Sequence, residues 1–167
     1  TPREGVVRAS LFAAAYLLLW IAFTASALVV LLALGWMSAF SGIGLLIPGL
    51  LLIAAGVYQF SSWKTYCLST CRTPVGFVLE HWRTGRRGAV RMGFAHGLFC
   101  LGCCWVLMLV VFVTGSMSLL WMGGFSALVL AEKLWGRGDG LARVIGGTAI
   151  SGGIAATVWL ALSGSLL

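Results

Sequence analysis

Five stretches of about twenty apolar residues divide the chain, at 9–34, 43–63, 94–113, 117–134 and 144–163. Each is long enough to cross a bilayer as a helix. The pattern therefore predicts an all-α integral membrane helical bundle of about five transmembrane helices, with residues 1–167 forming one domain. The basic loop 64–92 is the only sizeable polar segment. Its first part, 64–72, can continue the second span as a helix, and Thr73-Pro74 ends it, because a residue before proline avoids the helical region. Residues 77–82 suit a short amphipathic helix. Gly85 and Gly88, flanking Arg86-Arg87, predict a turn at the lipid headgroups. Pro48 falls early in the second span, where a helix tolerates it. In the fifth span Gly147, Ser151, Gly152 and Gly153 offer small residues for close helix packing.

Composition sharpens this picture. The 167 residues are 60% hydrophobic and 9% charged, with a mean hydropathy of +1.04; a soluble domain carries about 25% charged residues. The net charge of +7 would hint at nucleic acid in a soluble protein, but topology accounts for it here. Arg3 and Arg8 precede the first span, Lys64, Arg72, Arg83, Arg86, Arg87 and Arg91 occupy 64–92, and Lys133, Arg137 and Arg143 surround the fourth connection. The stretches 35–42 and 114–116 carry no charge. With five spans and a cytoplasmic N-terminus, all 11 basic residues face the cytoplasm, as the positive-inside rule requires. The expected location is the inner (cytoplasmic) membrane, multi-pass, with the lipid bilayer as partner and no nucleic acid.

The chemistry is concentrated in residues 67–104, which hold all five cysteines. On a helix, His96, Cys100 and Cys103 share one face at single-turn intervals, with Cys104 at its edge and Met92 one turn before His96. Thiolate and imidazole suit copper and zinc, and ionisable groups inside a membrane usually mark sites. The expected metal is copper first and zinc second, with His96, Cys100, Cys103, Cys104, Cys67 and Cys71 as ligands and Glu132 and Met92 behind them. His96 and Cys103 are about 10 Å apart along a helix axis, so one ion cannot take both from an unbroken helix. Cys67 and Cys71, one turn apart, suit one ion better than a disulfide. A site shared between the two groups needs 64–72 to fold back, and two sites at different depths fit more simply. Glu132, the one acid inside a predicted span, can ligate metal, take a thiol proton or orient the imidazole; the plainer alternative is an ion pair with Lys133 or a loop arginine. His81 reads as an exposed interfacial residue.

Cys100-Leu101-Gly102-Cys103 is also a CxxC, which by itself is weak evidence for thiol–disulfide exchange. No phosphate loop, serine triad or pair of catalytic carboxylates is present.

The stretch Tyr58-Gln59-Phe60, Lys64, Cys67-x3-Cys71-Arg72-x-Pro74, then Gly93-x2-His96-Gly97-x2-Cys100-x-Gly102-Cys103-Cys104-Trp105, then Glu132-Lys133, resembles a bacterial family of predicted metal-binding integral membrane proteins. The resemblance implies metal binding in a membrane and names no reaction. The expected function is copper handling, or service as the metal-bearing membrane subunit of a larger complex, with other subunits or a metal-delivery protein as partners. The competing class is a membrane redox enzyme, either a metal-dependent oxygenase subunit or a thiol–disulfide oxidoreductase using Cys100 and Cys103.

Overall fold

The computed structural model describes residues 2–33, 46–113, 119–135 and 138–164. These form α1 (Pro2–Ala33), α2 (Leu46–Gln59), α3 (Ser62–Arg72), α4 (Pro74–Glu80), α5 (Gly85–Val113), α6 (Leu119–Leu134) and α7 (Gly138–Gly164), with no strand among the described residues. The uncharged stretches 35–42 and 114–116, the predicted span ends at 34, 43–45 and 117–118, and Arg137 lie outside them.

Three helices, Pro2–Ala33, Gly85–Val113 and Gly138–Ser163, are long and apolar enough to cross a membrane. α2 and α6, with 14 and 16 residues, fall short of the about 20 that a bilayer core calls for. Length alone thus supports three crossings among the described residues, not five. The boundaries also move. α5 begins at Gly85 instead of 94, so Gly85-Arg86-Arg87-Gly88 is its first turn and not a headgroup turn. Gly85 itself enters the helix at φ 80°, a conformation open to glycine because it has no Cβ. α7 likewise starts at Gly138 instead of 144.

The second apolar run breaks where its hydrophobicity does not. Phe60 and Ser61 donate backbone hydrogen bonds to Val57 and Tyr58, at 3.1 and 3.0 Å, which tightens and ends α2. The Ser61 hydroxyl then accepts the Trp63 N–H at 3.2 Å and caps α3. This break lets α3 turn back along α5.

α5 lies at the centre, packed by α1, α2, α3 and α6, while α7 pairs with α2. The α2–α7 seam is made of glycine. A Cβ on Gly56 would meet the Gly146 carbonyl at 2.7 Å, and one on Gly153 would meet the Gly49 carbonyl at 2.7 Å. The two backbones therefore touch at a seven-residue spacing on each helix. Gly146 and Gly153 carry the contact; Gly147, expected to share it, faces open space. The Ser151 hydroxyl bonds back to its own helix at Gly147 and Thr148.

Polarity runs inside out. Gln59, Lys64 and Glu132 are buried, whereas Leu18, Ile21, Val29 and Trp159 are 64, 62, 65 and 74% exposed. Apolar outward faces on long helices suit hydrocarbon, while buried polar groups must then find partners within the bundle.

The glycine seam makes a prediction. Gly153→Leu forces α7 off α2 and should destabilise the protein by about 1–3 kcal/mol, the usual cost of overpacking. Gly147→Leu should leave stability near that of the parent. Unfolding midpoints of the two variants in detergent check the contrast.

Candidate metal centre

The turn at Phe60–Ser61 lays α3 against α5, and with it Cys67 and Cys71 against Cys100, Cys103 and Cys104. Cys71 packs against the buried cluster that α3 forms with α5. Cys67 and Leu68 form one buried cluster with Cys103 and Cys104, flanked by Trp20, Cys71, Phe99, Met108 and Val129. Gly102 makes room for this approach, because a Cβ there would lie 2.7 Å from the Cys67 sulfur. Residues 64–72 do fold back, because α3 is a helix separate from α2, and cysteines of the two groups share one buried cluster. All five cysteines are free thiols.

Within α5 the thiols of Cys103 and Cys104 donate to the Cys100 carbonyl at 3.0 and 3.1 Å. That geometry turns them along their own helix. Among the described residues no group of three or more His, Cys, Asp or Glu side chains is arranged to hold an ion; gathering the sulfurs around a metal requires these thiols to rotate off the carbonyl. Burial, reinforced by the neighbouring Cys103 sulfur, pushes the Cys67 thiol up. Hydrogen bonds to Cys100 and Cys103, with burial, push Cys71 up as well. Both therefore carry protons at neutral pH, which a metal would have to displace.

The Cys100 sulfur has a different environment. The Tyr16 hydroxyl lies 3.1 Å from it, and the Lys133 ammonium donates to it at 3.0 Å. Neither residue stands out in the chemical pattern of the sequence. Tyr16 had one legible signal: a phenol in the middle of an apolar run needs a polar partner.

The remaining candidates sit around this patch. His96 lies among the rings of Phe12, Tyr16 and Phe77, at centroid separations of 5.9, 6.1 and 4.9 Å. Its Nδ1 is shielded and makes no hydrogen bond among the described residues. It meets the sulfurs through Tyr16, which touches both. The Met92 sulfur accepts the Arg83 backbone N–H at 3.3 Å, at the α5 entrance. His81 is exposed and stacks on Phe77 at 4.5 Å.

Among the described residues, Glu132 is paired with neither Lys133 nor a loop arginine side-chain to side-chain. Its carboxylate receives two hydrogen bonds from the buried Lys64 ammonium, at 2.9 and 2.8 Å, and Lys64 also donates to Gln59 Oε1. Its backbone carbonyl accepts Arg72 Nε and Nη2 at 3.0 and 2.9 Å, and Arg72 continues to Asp139 at 3.2 Å. Lys64 and Arg72 bracket Cys67 and Cys71 on α3, so one residue of α6 holds both ends of the cysteine-bearing helix. In the sequence Lys64 and Arg72 stand out as loop charge and as positions of the family resemblance, with no partner assigned to either.

Fold and site together define an all-helical protein whose buried centre is a five-thiol patch. A family model described as PpoB2, a copper chaperone, matches residues 2–156, and the chain belongs to that family. No curated protein and no solved structure matches it.

The anchoring of α3 can be tested on its own. Glu132→Leu strands the Lys64 ammonium in the interior and should cost about 3–5 kcal/mol. Adding Lys64→Met removes the orphaned charge and should recover much of that loss, because apolar replacement of a buried pair is often close to neutral. Denaturation midpoints for the single and double variants decide it.

Proposed function

We propose that this protein is a multi-pass inner-membrane copper chaperone that holds Cu(I) as cargo on the thiols joined between α3 and α5. The observation that carries this reading is the buried cluster of Cys67 and Leu68 with Cys103 and Cys104, Cys71 packed against it, which brings two cysteine groups distant in sequence together. Soft thiolates suit Cu(I) and zinc, and membership of a copper chaperone family favours copper as the cargo. Cys100, Cys103 and Cys104 with Cys67 and Cys71 are the proposed ligands. His96, one turn before Cys100 on α5 with its Nδ1 shielded and without a hydrogen bond among the described residues, is a further candidate ligand, and Glu132 acts behind them by holding α3.

A cluster with more sulfurs than a small soft ion uses at one time suits transfer. Copper can gain one thiolate before it loses another, so no step exposes a bare ion. Each thiol that binds releases its proton and each that lets go recovers one. The cargo then passes to a partner that offers its own soft ligands, either a metal-delivery protein or the complex that this chain serves.

The membrane reading rests on the three long apolar helices, with α2 and α6 proposed as shorter crossings in a five-pass bundle. Contacts between the starts of α1 and α5, through Glu4 and Arg86, and between α3 and the start of α7, through Arg72 and Asp139, gather basic residues of three connections. That grouping supports a common cytoplasmic face and a cytoplasmic N-terminus.

The test is copper content. Protein purified in reduced form without oxygen and loaded with Cu(I) should retain at least about one ion per chain through desalting. A Cys100→Ser/Cys103→Ser variant, recovered in membranes in the same amount, should lose most of it. Elemental analysis of the two proteins reads the difference; equal retention in both would remove the cluster as the cargo site, and zinc retained in place of copper would point to a structural metal.

A further inference from the structure

Resting on that reading, we propose that Lys133 supplies the positive charge that balances the copper–thiolate centre, with Tyr16 as a second donor on the same sulfur. A singly charged ion held by two thiolates leaves one net negative charge, and a third thiolate adds another. Buried in a bundle with apolar outward faces, that charge is costly unless an opposite charge lies beside it. Among the described residues Lys133 is the only basic side chain hydrogen-bonded to a cysteine sulfur, at 3.0 Å from Cys100. The nearby alternatives are committed elsewhere. Lys64 is taken up by the Glu132 carboxylate and Gln59, and Arg72 by the Glu132 carbonyl and Asp139.

The arrangement separates two neighbouring residues of α6 by role. Glu132 faces α3 and fixes its position. Lys133 faces α5 and meets Cys100. The Tyr16 hydroxyl approaches the same sulfur from α1 at 3.1 Å, so Cys100 sits between two groups that can both donate. Cys103 and Cys104 point instead at a backbone carbonyl. Cys100 is thus the sulfur best placed to carry the charge of the loaded centre. Lys133 is a positioning and charge-balancing residue; it does not touch the metal.

The charge argument yields a readout that a merely structural role would not move. Mercury(II) held by two thiolates is neutral and needs no balancing cation. In reduced, oxygen-free detergent solution, Cu(I) affinity is measured by competition with a chromophoric Cu(I) chelator, and Hg(II) affinity by competition with a small dithiol. Lys133→Met should lower Cu(I) affinity about ten- to a hundredfold, the usual range for a hydrogen bond to a charged group. Lys133→Arg should keep most of the Cu(I) affinity, and Hg(II) affinity should be unchanged in both. Equal losses for the two ions, or no loss of Cu(I) in Lys133→Met, would overturn the proposal. If Lys133→Met is not recovered folded, Lys133→Gln is read the same way. A parent protein that binds no Cu(I) in this assay would overturn the chaperone reading itself, a result distinct from parent-like Cu(I) binding by the variant.

Discussion

The ion pair between Lys64 and Glu132 is the constraint on which the thiol patch depends. Both side chains are about 1% exposed, so the pair is shielded from screening by water and salt, and each charge is stranded if the other is lost. Such a pair adds little net stability compared with apolar side chains. Its value here is positional. α3 is only 11 residues long, too short to hold a conformation through its own hydrogen bonds. Lys64 at one end and Arg72 at the other tie it to a single residue of α6. Between those ties lie Cys67 and Cys71, and they meet the cysteines of α5 because the ties leave α3 no other place.

The glycines complete the same geometry from the other side. Gly102 allows α3 to come within sulfur contact of α5. The Tyr58 hydroxyl donates to the carbonyl of that same Gly102, and its ring meets Trp105 edge-on at 5.7 Å. α2, which α7 holds through backbone-to-backbone glycine contacts, is thereby fixed to α5 at the level of the thiols. Each neighbour of α5 thus reaches it at or near the residues that carry the chemistry.

Much of this was legible in the sequence, and the rest fails for identifiable reasons. The long apolar runs gave α1, α5 and α7 because hydrophobic length is a strong signal, and Thr73-Pro74 marked the junction of α3 and α4. The start of α5 was misplaced because Arg86 and Arg87 look like a loop, although a helix emerging from a membrane carries such residues freely. The break after α2 was missed because residues 57–63 hold no proline or glycine to mark it; the signal present was Ser61, a good N-cap ahead of Trp63 and Lys64. Without that break, two sites at different depths read as simpler than a shared one. The cysteines themselves were found by type and spacing alone. Their partners were not, because pairing between Lys64 and Glu132, or between Lys133 and Cys100, joins residues 68 and 33 positions apart and depends on how the helices pack.

On the proposed reading, the same patch both keeps copper and yields it. The Cys103 and Cys104 thiols are bonded to the Cys100 carbonyl, and the Cys100 sulfur accepts from Lys133. Binding replaces protons with a cation and leaves a charge that Lys133 is placed to meet. Release needs only the reverse exchange, with protons returning to sulfurs whose hydrogen-bond acceptors are already beside them. A rigid preformed cage would bind more tightly and surrender its ion more slowly. A cluster of self-bonded thiols, clamped by charges that face away from the metal, gives up some affinity for exchangeability, which is the property a carrier requires.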